Sequence, residues 1–321
     1  MKILLAQPRG FCAGVSRAID TVLKVLEYEK QDVYVRHEVV HNKYVVDRLK
    51  RKGAIFVKEL HQVPNNSVVI FSAHGVSKVV QDEAKKRNLK VYDATCPLVT
   101  KVHRQVQRAA SSDESCILIG HKGHPEVEGT LGQYQSKSSV GKIYLVETEE
   151  DINNLNINPN DKLNFVTQTT LSIDDTKKLI TTLKQKYPSI EEPKKEDICY
   201  ATQNRQNAVR DLTKLSDIIL VVGSQNSSNS NRLKELAIRF GVKAYLIDGP
   251  DYIQEEWIKN CKIIGLTAGA SAPDTLVHQV IGKIKEMNGV NDVCIDLLDG
   301  VVEDIHFPLP KVLRNRKVDK S

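Results

Sequence analysis

Residues 2–28 of the chain read KILLAQPRGFCAGVSRAIDTVLKVLEY, and this stretch predicts the fold. The apolar run at residues 2–6 has the length of a buried strand, and a polar loop containing Cys12 follows it. Apolar side chains then recur at helical spacing, at Val15, Ile19, Val22, Leu23 and Leu26. A strand, a polar loop and a helix in this order form the repeating element of an α/β protein with parallel sheets.

The same alternation continues along the rest of the chain. Further strands are predicted at residues 33–36, 68–72, 90–92, 116–120, 142–146, 163–167, 218–222, 244–247 and 263–267. Further helices are predicted at residues 15–28, 98–110 and 206–215, and a linker at residues 187–196. We therefore predict three similar α/β units with parallel sheets flanked by helices, at residues 1–96, 97–196 and 197–321, the last with a C-terminal tail.

The composition is that of an ordinary globular protein, and it indicates neither a nucleic-acid nor a membrane partner. Of 321 residues, 40% are hydrophobic and 27% are charged. No apolar run approaches the roughly 18 residues of a membrane span, and residues 2–6 are too short for a signal peptide, so a cytoplasmic location is expected. The net charge of +6 is spread along the chain, and aromatic residues are only 5%, which argues against a nucleic-acid partner.

The six cysteines divide into two groups by their sequence context. Cys116, Cys261 and Cys294 lie in or beside apolar, strand-like runs, where a buried and inert thiol is expected. Cys12, Cys96 and Cys199 each precede a predicted helix, and a basic residue follows each of them by five or six positions. The positive end of a helix dipole favours the thiolate, which is the form that binds metal.

Three such thiolates could converge if the three units pack around a common axis. Cubane iron–sulfur clusters usually take four thiolates, so three would leave one iron without a protein ligand. Open coordination distinguishes catalytic from structural zinc sites, and we extend that rule to iron by analogy. The spacing of the cysteines alone is a weakly specific indication of such a cluster.

Polar loops follow several of the predicted strands, at the edge where open α/β sheets bind their ligands. They are rich in hydroxyl, amide and imidazole groups and glycine, and lie at residues 72–75, 120–126, 167–170, 223–230 and 267–273, with His41 in addition. Donors of this kind suit phosphate oxygens. No Walker loop is present and no GxGxxG motif follows a strand, so nucleotide binding is not predicted.

Glu126 is the one carboxylate within these histidine-rich loops, and it is a candidate general acid. Alternatively, it stabilises the first turn of a helix after Pro125. Two other functions stay open at this point. One is a zinc or non-haem iron hydrolase that uses His121, His124 and Glu126. The other is a redox-sensing iron–sulfur module that binds a partner without catalysing a reaction.

Nine motifs carry a resemblance that runs across nearly the whole chain. They lie at residues 8–15, 35–42, 71–77, 93–99, 123–130, 167–172, 197–206, 223–230 and 267–273, and include PRGFCAGV, DATCPLV and DICYATQNRQ. With these motifs the chain resembles the hydroxymethylbutenyl diphosphate reductases, the iron–sulfur enzymes that complete the methylerythritol phosphate route to isoprenoids.

The resemblance implies three α/β units in a pseudo-threefold trefoil around one central 4Fe–4S cluster, held by Cys12, Cys96 and Cys199. It implies reductive dehydroxylation of 4-hydroxy-3-methylbut-2-enyl diphosphate to isopentenyl and dimethylallyl diphosphates at the open iron, with electrons from a ferredoxin or flavodoxin. Glu126 would deliver the proton and Thr167 would contact the substrate hydroxyl. The residues implied to bind the substrate diphosphate are His41, His74, His124, Ser227, Ser228, Asn229 and Ser271.

Overall fold

A computed structural model of the chain describes residues 1–136, 141–158, 161–288 and 293–314. Its strands are β1 (Lys2–Leu5), β2 (Val33–Arg36), β3 (Ala54–Val57), β4 (Val68–Phe71), β5 (Lys90–Asp93), β6 (Ser115–Ile119), β7 (Ile143–Val146), β8 (Leu163–Thr167), β9 (Ile218–Val222), β10 (Lys243–Ile247), β11 (Ile263–Ala268) and β12 (Cys294–Leu297). Its helices are α1 (Ala13–Tyr28), α2 (Lys43–Arg51), α3 (Lys78–Lys86), α4 (Pro97–Ser111), α5 (Pro125–Leu131), α6 (Glu149–Asn154), α7 (Ile173–Lys186), α8 (Tyr200–Thr213), α9 (Ser228–Arg239), α10 (Glu255–Ile258), α11 (Asp274–Asn288) and α12 (Lys311–Arg314).

The strands form three sheets, and every strand pair in them is parallel. The strand orders are β10-β9-β11-β1-β12, β3-β2-β4-β5 and β7-β6-β8. Parallel sheets need helices on their faces, and the alternation of strands with helices along the chain supplies them. The α/β class with parallel sheets flanked by helices is therefore confirmed.

The described chain divides into two compact units. Unit I comprises Met1–Ser16, Val40–Arg48 and Tyr200–His306, and contains the five-stranded sheet. One face of that sheet packs through Ile3 and Leu220 against apolar residues of α11. The opposite face packs through Leu4 and Val221 against apolar residues of α8 and α9. Central strands that are apolar on both sides explain the uninterrupted runs in the sequence.

Unit II comprises Arg17–Val39, Leu49–Cys199 and Phe307–Ser321, of which the structure describes residues up to 314. It contains the four-stranded and three-stranded sheets. Apolar residues of β6 and β8 pack on α7 through Leu183, and α4 contributes Val102 and Val106 to a second cluster around β6. Each sheet therefore has its own covering of helices.

The predicted strands are present, with bounds shifted by at most one residue at either end, and two further strands were missed. The missed strands are β3 and β12, which lie at the edges of their sheets, and the residues of β12 are largely exposed. The helix predicted at residues 206–215 begins six residues earlier, at Tyr200. The first turns of this helix are polar and show no hydrophobic pattern. One of the side chains that they bury is Arg205, which is ion-paired rather than apolar.

The first strand departs from the predicted division into contiguous units. Residues 2–6 were placed in a unit ending at residue 96, but β1 pairs with β11 and β12. Ile3 and Leu4 are buried on opposite faces of β1, so this strand requires an interior position in a sheet, and the sequence does not indicate which one. The bounds at residues 96 and 196 otherwise stay a prediction.

The predicted linker at residues 187–196 is not a simple connector. Tyr187 and Ile190 are buried, and Glu191 forms a parallel bridge with Asn164 of β8. Within the described residues, no helix is both long and apolar enough to cross a membrane.

Candidate active site

The three cysteines that precede helices share one backbone arrangement. The Cys12 amide donates to the Ala270 carbonyl at 3.2 Å, the Cys96 amide to Ala73 at 2.9 Å, and the Cys199 amide to Thr169 at 3.1 Å. Each accepting carbonyl lies in a polar loop at the carboxyl end of a strand, namely β11, β4 and β8. Each cysteine is therefore hydrogen-bonded to one of the loops that the sequence marked as rich in donors.

Helices begin directly after these cysteines. α1 starts at Ala13, α4 at Pro97 and α8 at Tyr200, so every thiol lies at the positive end of a helix dipole. All three cysteines are half-buried. Half-buried thiols at helix starts have the accessibility and the electrostatic environment that metal-binding or nucleophilic thiolates require.

The other three cysteines differ from one another. Cys116 in β6 is fully buried, and burial raises the pKa of its thiol far above the usual value. Cys261 is half-buried, and burial raises the pKa of its thiol as well. Cys294 is exposed on the edge strand β12, so the expectation that it is buried was wrong. A cysteine with apolar neighbours in the sequence is still exposed when its strand lies at the edge of a sheet.

The side chains that commonly bind metal ions are not grouped together in the described part of the chain. The described residues contain no group of three or more His, Cys, Asp or Glu side chains gathered so that they could hold a metal ion. The hydrolase set is dispersed, because His121 Nδ1 lies 2.9 Å from Glu147 Oε1 while Glu126 faces Thr169. The geometry therefore gives no support to a hydrolytic centre built from His121, His124 and Glu126.

Glu126 is a buried carboxylate in unit II. Its side chain is oriented across to the loop after β8, where Oε1 accepts from the Thr169 amide at 2.6 Å and Oε2 from the Thr169 hydroxyl at 3.0 Å. Burial raises the pKa of Glu126 to about 7, although both hydrogen bonds from Thr169 act to lower it. A carboxyl group with a pKa near neutrality can give up and take back a proton at physiological pH.

Thr167 lies at the end of β8 with its side chain buried. Its amide donates to Asp197 Oδ2 at 3.1 Å, and its hydroxyl donates to the Gln168 carbonyl at 3.3 Å. Asp197 is itself buried, with Lys101 Nζ 2.9 Å from Oδ1. The ion pair holds Asp197, which accepts from Thr167 at the end of β8 and lies two residues before Cys199. It therefore fixes both the end of this strand and the position of Cys199.

Two histidines of unit II lie side by side. The rings of His74 and His124 are 5.8 Å apart and nearly perpendicular. His124 is the N-cap of α5, and its Nδ1 accepts from the Glu126 amide at 3.2 Å. Neutral His124 therefore carries its proton on Nε2 and can donate from that atom. His124 thus links an imidazole donor to the backbone of the candidate acid.

Glycine makes the loop after β4 possible. Gly75 follows His74 with a φ of +79°, and a Cβ at this position would lie 2.5 Å from His103 Cε1. Neither the conformation nor the space accepts another residue. Gly10, with a φ of +69°, has the same role before Cys12.

The polar loops of unit I form a second group of donors. Ser227 is the N-cap of α9, and its hydroxyl accepts from the Ser230 amide and hydroxyl at 3.3 and 3.0 Å. Asn229 Oδ1 accepts from the Ala270 amide at 2.9 Å, whereas its Nδ2 is buried without a partner among the described residues. A buried amide donor with no partner is costly and is typical of a ligand site.

Ser271 and His41 are adjacent in unit I. The Ser271 hydroxyl donates to the His41 carbonyl at 2.8 Å, so the loop after β11 holds the segment that carries this histidine. Ser228 begins α9 and is half-buried. The residues implied to bind diphosphate therefore lie in adjacent pairs. Unit I contains the pairs Ser227–Asn229 and His41–Ser271, and unit II contains the pair His74–His124.

Sequence reasoning missed the partners that hold these groups. Thr169 was recognised only as part of a polar loop, and Asp197, Lys101 and Arg205 were given no site role. One local signal existed for Asp197, since an acidic residue shortly before a cysteine occurs in both Asp93-Ala-Thr-Cys96 and Asp197-Ile-Cys199.

The chain is similar to known proteins along almost its whole length. The sequence matches the family model described as LytB protein over residues 3–285. It is 60% identical over 316 residues to the 4-hydroxy-3-methylbut-2-enyl diphosphate reductase of Francisella tularensis subsp. novicida (strain U112), with 98% of each chain covered. The protein of the same name from Francisella philomiragia subsp. philomiragia has the same identity and coverage.

Two solved structures are also similar. The E-1-hydroxy-2-methyl-but-2-enyl-4-diphosphate reductase from Plasmodium falciparum gives a TM-score of 0.91 at 39% identity, covering 98% of this chain and 96% of its own. An (E)-4-hydroxy-3-methyl-but-2-enyl diphosphate reductase, described as the terminal enzyme of the non-mevalonate pathway, gives 0.64 at 32%, covering 89% and 99%. The resemblance carried by the nine sequence motifs is confirmed, and the chain belongs to the LytB family.

Proposed function

We propose that the chain is an oxidoreductase that converts 4-hydroxy-3-methylbut-2-enyl diphosphate to isopentenyl diphosphate and dimethylallyl diphosphate by removing the allylic hydroxyl group. The observation that carries the proposal is the repeated hydrogen bond from each cysteine amide to a polar loop. It links every candidate metal-binding thiol to a group of candidate diphosphate or proton donors. The reductases similar to this chain over almost its full length support the same reaction.

Cys12, Cys96 and Cys199 would hold one 4Fe–4S cluster. The chemistry of the donor set fits, because three half-buried cysteines precede helices and cysteine sulfur is the usual ligand of these clusters. When bound, the cluster would pass on two electrons, received one at a time from a carrier, and would supply an iron that lacks a protein ligand.

The side chains that would donate hydrogen bonds to the diphosphate are those that the resemblance implies. In unit I these are His41, Ser227, Ser228, Asn229 and Ser271, with the buried Asn229 Nδ2 needing an acceptor. In unit II they are His74 and His124, the latter through Nε2. Hydroxyl, amide and imidazole donors in place before the ligand arrives bind phosphate oxygens without a large reorganisation cost.

Glu126 would deliver the proton that lets the hydroxyl leave as water, and a second proton added at carbon would complete the two-electron reduction to either product. Its carboxyl group is buried, so bulk water does not compete for the proton, and Thr169 holds it in one orientation. Thr167, whose hydroxyl now donates only to a backbone carbonyl at 3.3 Å, would turn toward the substrate hydroxyl. Glu126 would be reprotonated between turnovers, since its pKa lies near 7.

The electrons would come from a one-electron carrier, a ferredoxin or a flavodoxin. Two separate one-electron deliveries suit such a carrier better than a hydride donor, and the chain has no nucleotide-binding loop. We place this reaction in the cytoplasm, the location that the sequence predicts.

Anaerobic purification followed by iron and sulfide analysis tests the proposal. We expect a brown protein with about four irons per chain, which releases isopentenyl and dimethylallyl diphosphates from the allylic alcohol when a chemical reductant is added. A colourless protein that binds zinc instead, or a cluster-containing protein that leaves the substrate unchanged, would refute it.

A further inference from the structure

The basic residue one turn after Cys12 contacts the backbone that precedes Cys96. Arg17, on α1, donates from Nη1 to the Thr95 carbonyl at 2.9 Å and from Nε to the Pro308 carbonyl at 2.9 Å. Thr95 is buried, and its amide donates to Asp93 at 2.9 Å. Arg17 therefore closes a small turn whose next residue is the cysteine.

The basic residue one turn after Cys96 makes the equivalent contact before Cys199. Lys101, on α4, donates from Nζ to the carbonyls of Lys195 and Glu196 at 2.8 and 2.7 Å. The same nitrogen lies 2.9 Å from the buried Asp197. A single ammonium group thus binds three consecutive residues that end two positions before the cysteine.

The basic residue after Cys199 completes the series. Arg205, on α8, donates from Nη2 to the Gly10 carbonyl at 2.8 Å and from Nε to the same carbonyl at 3.1 Å. Its side chain is fully buried and is ion-paired with Glu303 at 3.0 Å. The Tyr200 hydroxyl accepts from the amide of Ala13, immediately after Cys12, at 3.2 Å.

These contacts run in one direction around a cycle of three. The helix after Cys12 holds the segment before Cys96, the helix after Cys96 holds the segment before Cys199, and the helix after Cys199 holds the segment before Cys12. A solubilising or helix-stabilising role would not require each cation to bind the backbone just ahead of another cysteine. The repeat is therefore evidence that the cations position the cysteine segments.

We propose that Arg17, Lys101 and Arg205 are positioning residues that fix the three cysteine segments in cyclic order and bring positive charge to the backbone just before each cysteine. The inference rests on the proposed function for the role of the thiolates as cluster ligands. Charge-assisted hydrogen bonds to carbonyls hold a loop more firmly than neutral ones. A nearby cation also favours the more negative, reduced state of any centre that the thiolates bind.

Lys101→Gln tests the positional part, with hydrogen exchange measured on the full, cluster-containing chain under anaerobic conditions. Loss of a charge-assisted hydrogen bond should speed amide exchange at residues 195–199 by about tenfold or more, and leave residues 10–12 and 93–96 unchanged. Arg17→Gln should instead speed exchange at residues 94–96. Arg104→Gln is the matched control, since Arg104 is an exposed cation on the same helix as Lys101.

The electrostatic part is tested by a reductive titration of the same proteins. With full iron content, Lys101→Gln should lower the ratio of reduced to oxidised cluster at a fixed potential by about three- to tenfold, tenfold being 59 mV for one electron. Lys101→Arg keeps the charge and should restore the wild-type ratio. Arg104→Gln should not change it, because an exposed charge is screened by solvent.

The outcomes separate this inference from the proposed function. Wild-type exchange at residues 195–199 together with a wild-type potential in Lys101→Gln would overturn the inference. If Lys101→Gln loses the cluster, hydrogen exchange is compared between the variant and the wild type after the cluster has been removed from both. A change confined to residues 195–199 supports the inference. A change over the whole chain overturns it. Absence of iron and sulfide in the wild-type protein would overturn the proposed function instead.

Discussion

The role of Glu126 is tested most directly by Glu126→Gln. The glutamine amide keeps the size of the side chain, and its oxygen can still accept from the Thr169 amide, but it cannot give up a proton. If Glu126 is the proton donor, single-turnover dehydroxylation should slow by roughly 10²–10⁴-fold, the span usual for general acids. If it only stabilised the start of α5, the change would cost about 1 kcal/mol or less and leave the rate nearly unaltered.

The same substitution should change how stability depends on pH. The pKa of Glu126 rises from 4.5 to about 7 in the folded protein, mainly because the carboxyl group is buried. Between these values the folded state holds a proton that the unfolded state has lost, so ionisation opposes folding increasingly as pH rises. Above pH 7 the cost is complete and is on the order of 3 kcal/mol.

Two measurements on one protein therefore decide the question. Single-turnover product formation with a chemical reductant excludes effects on docking of the electron carrier. Denaturant unfolding should show equal stability of the variant and the wild type near pH 4, and a more stable variant near pH 8. Glu128→Gln is the matched control, because Glu128 is exposed on the same helix. Near-wild-type turnover in a cluster-replete Glu126→Gln protein would refute the proton-donor role.

Three further changes probe the other parts of the site. Cys96→Ser should abolish bound iron and sulfide in the purified protein, because a hydroxyl is a poor ligand for iron in such clusters. Cys116→Ala is the control and should leave both intact. Equal iron content in the two variants would contradict the assignment of Cys96 as a cluster ligand. Asn229→Ala should weaken pyrophosphate binding measured by calorimetry by about 1–3 kcal/mol, and unchanged affinity would make its loop structural only. Thr169→Val removes a hydrogen bond that lowers the pKa of Glu126, so the alkaline limb of the single-turnover pH profile should move to higher pH; an unmoved limb argues against Glu126 as the acid.

The sheets could be predicted from sequence because central strands such as β4, β6 and β9 are buried on both faces. A run such as Ile218–Val222, in which every residue is buried, can hardly be anything but an interior strand when helices flank it. β12 lacks that signal, since its residues are largely exposed at an edge. The sheet that β1 joins could not be predicted either, because pairing with β11 spans more than 250 residues and leaves no local pattern.

The residues of the candidate site could be predicted from sequence where they lie at the ends of strands. Polar residues directly after apolar strands indicated the loops that carry His74, Thr167 and Ser271, and the structure places these loops beside the cysteine backbones. The contact between Glu126 and Thr169 was not readable, since it joins residues 43 positions apart through one side chain. Its consequence, a carboxyl group with a pKa near 7, arises from burial that only the tertiary structure creates.

The cycle of cations shows a different limit of sequence reasoning. The basic residues themselves are visible as a recurrence after each cysteine, but the groups they bind are backbone carbonyls, which every residue type possesses. Lys195 and Glu196 have exposed side chains, yet their carbonyls both accept from Lys101. At these positions the backbone path is constrained and the side chain is not. Side-chain substitutions at Lys195 and Glu196 should therefore leave hydrogen exchange at residues 195–199 unchanged, whereas Lys101→Gln, which removes the shared donor of both carbonyls, should speed it.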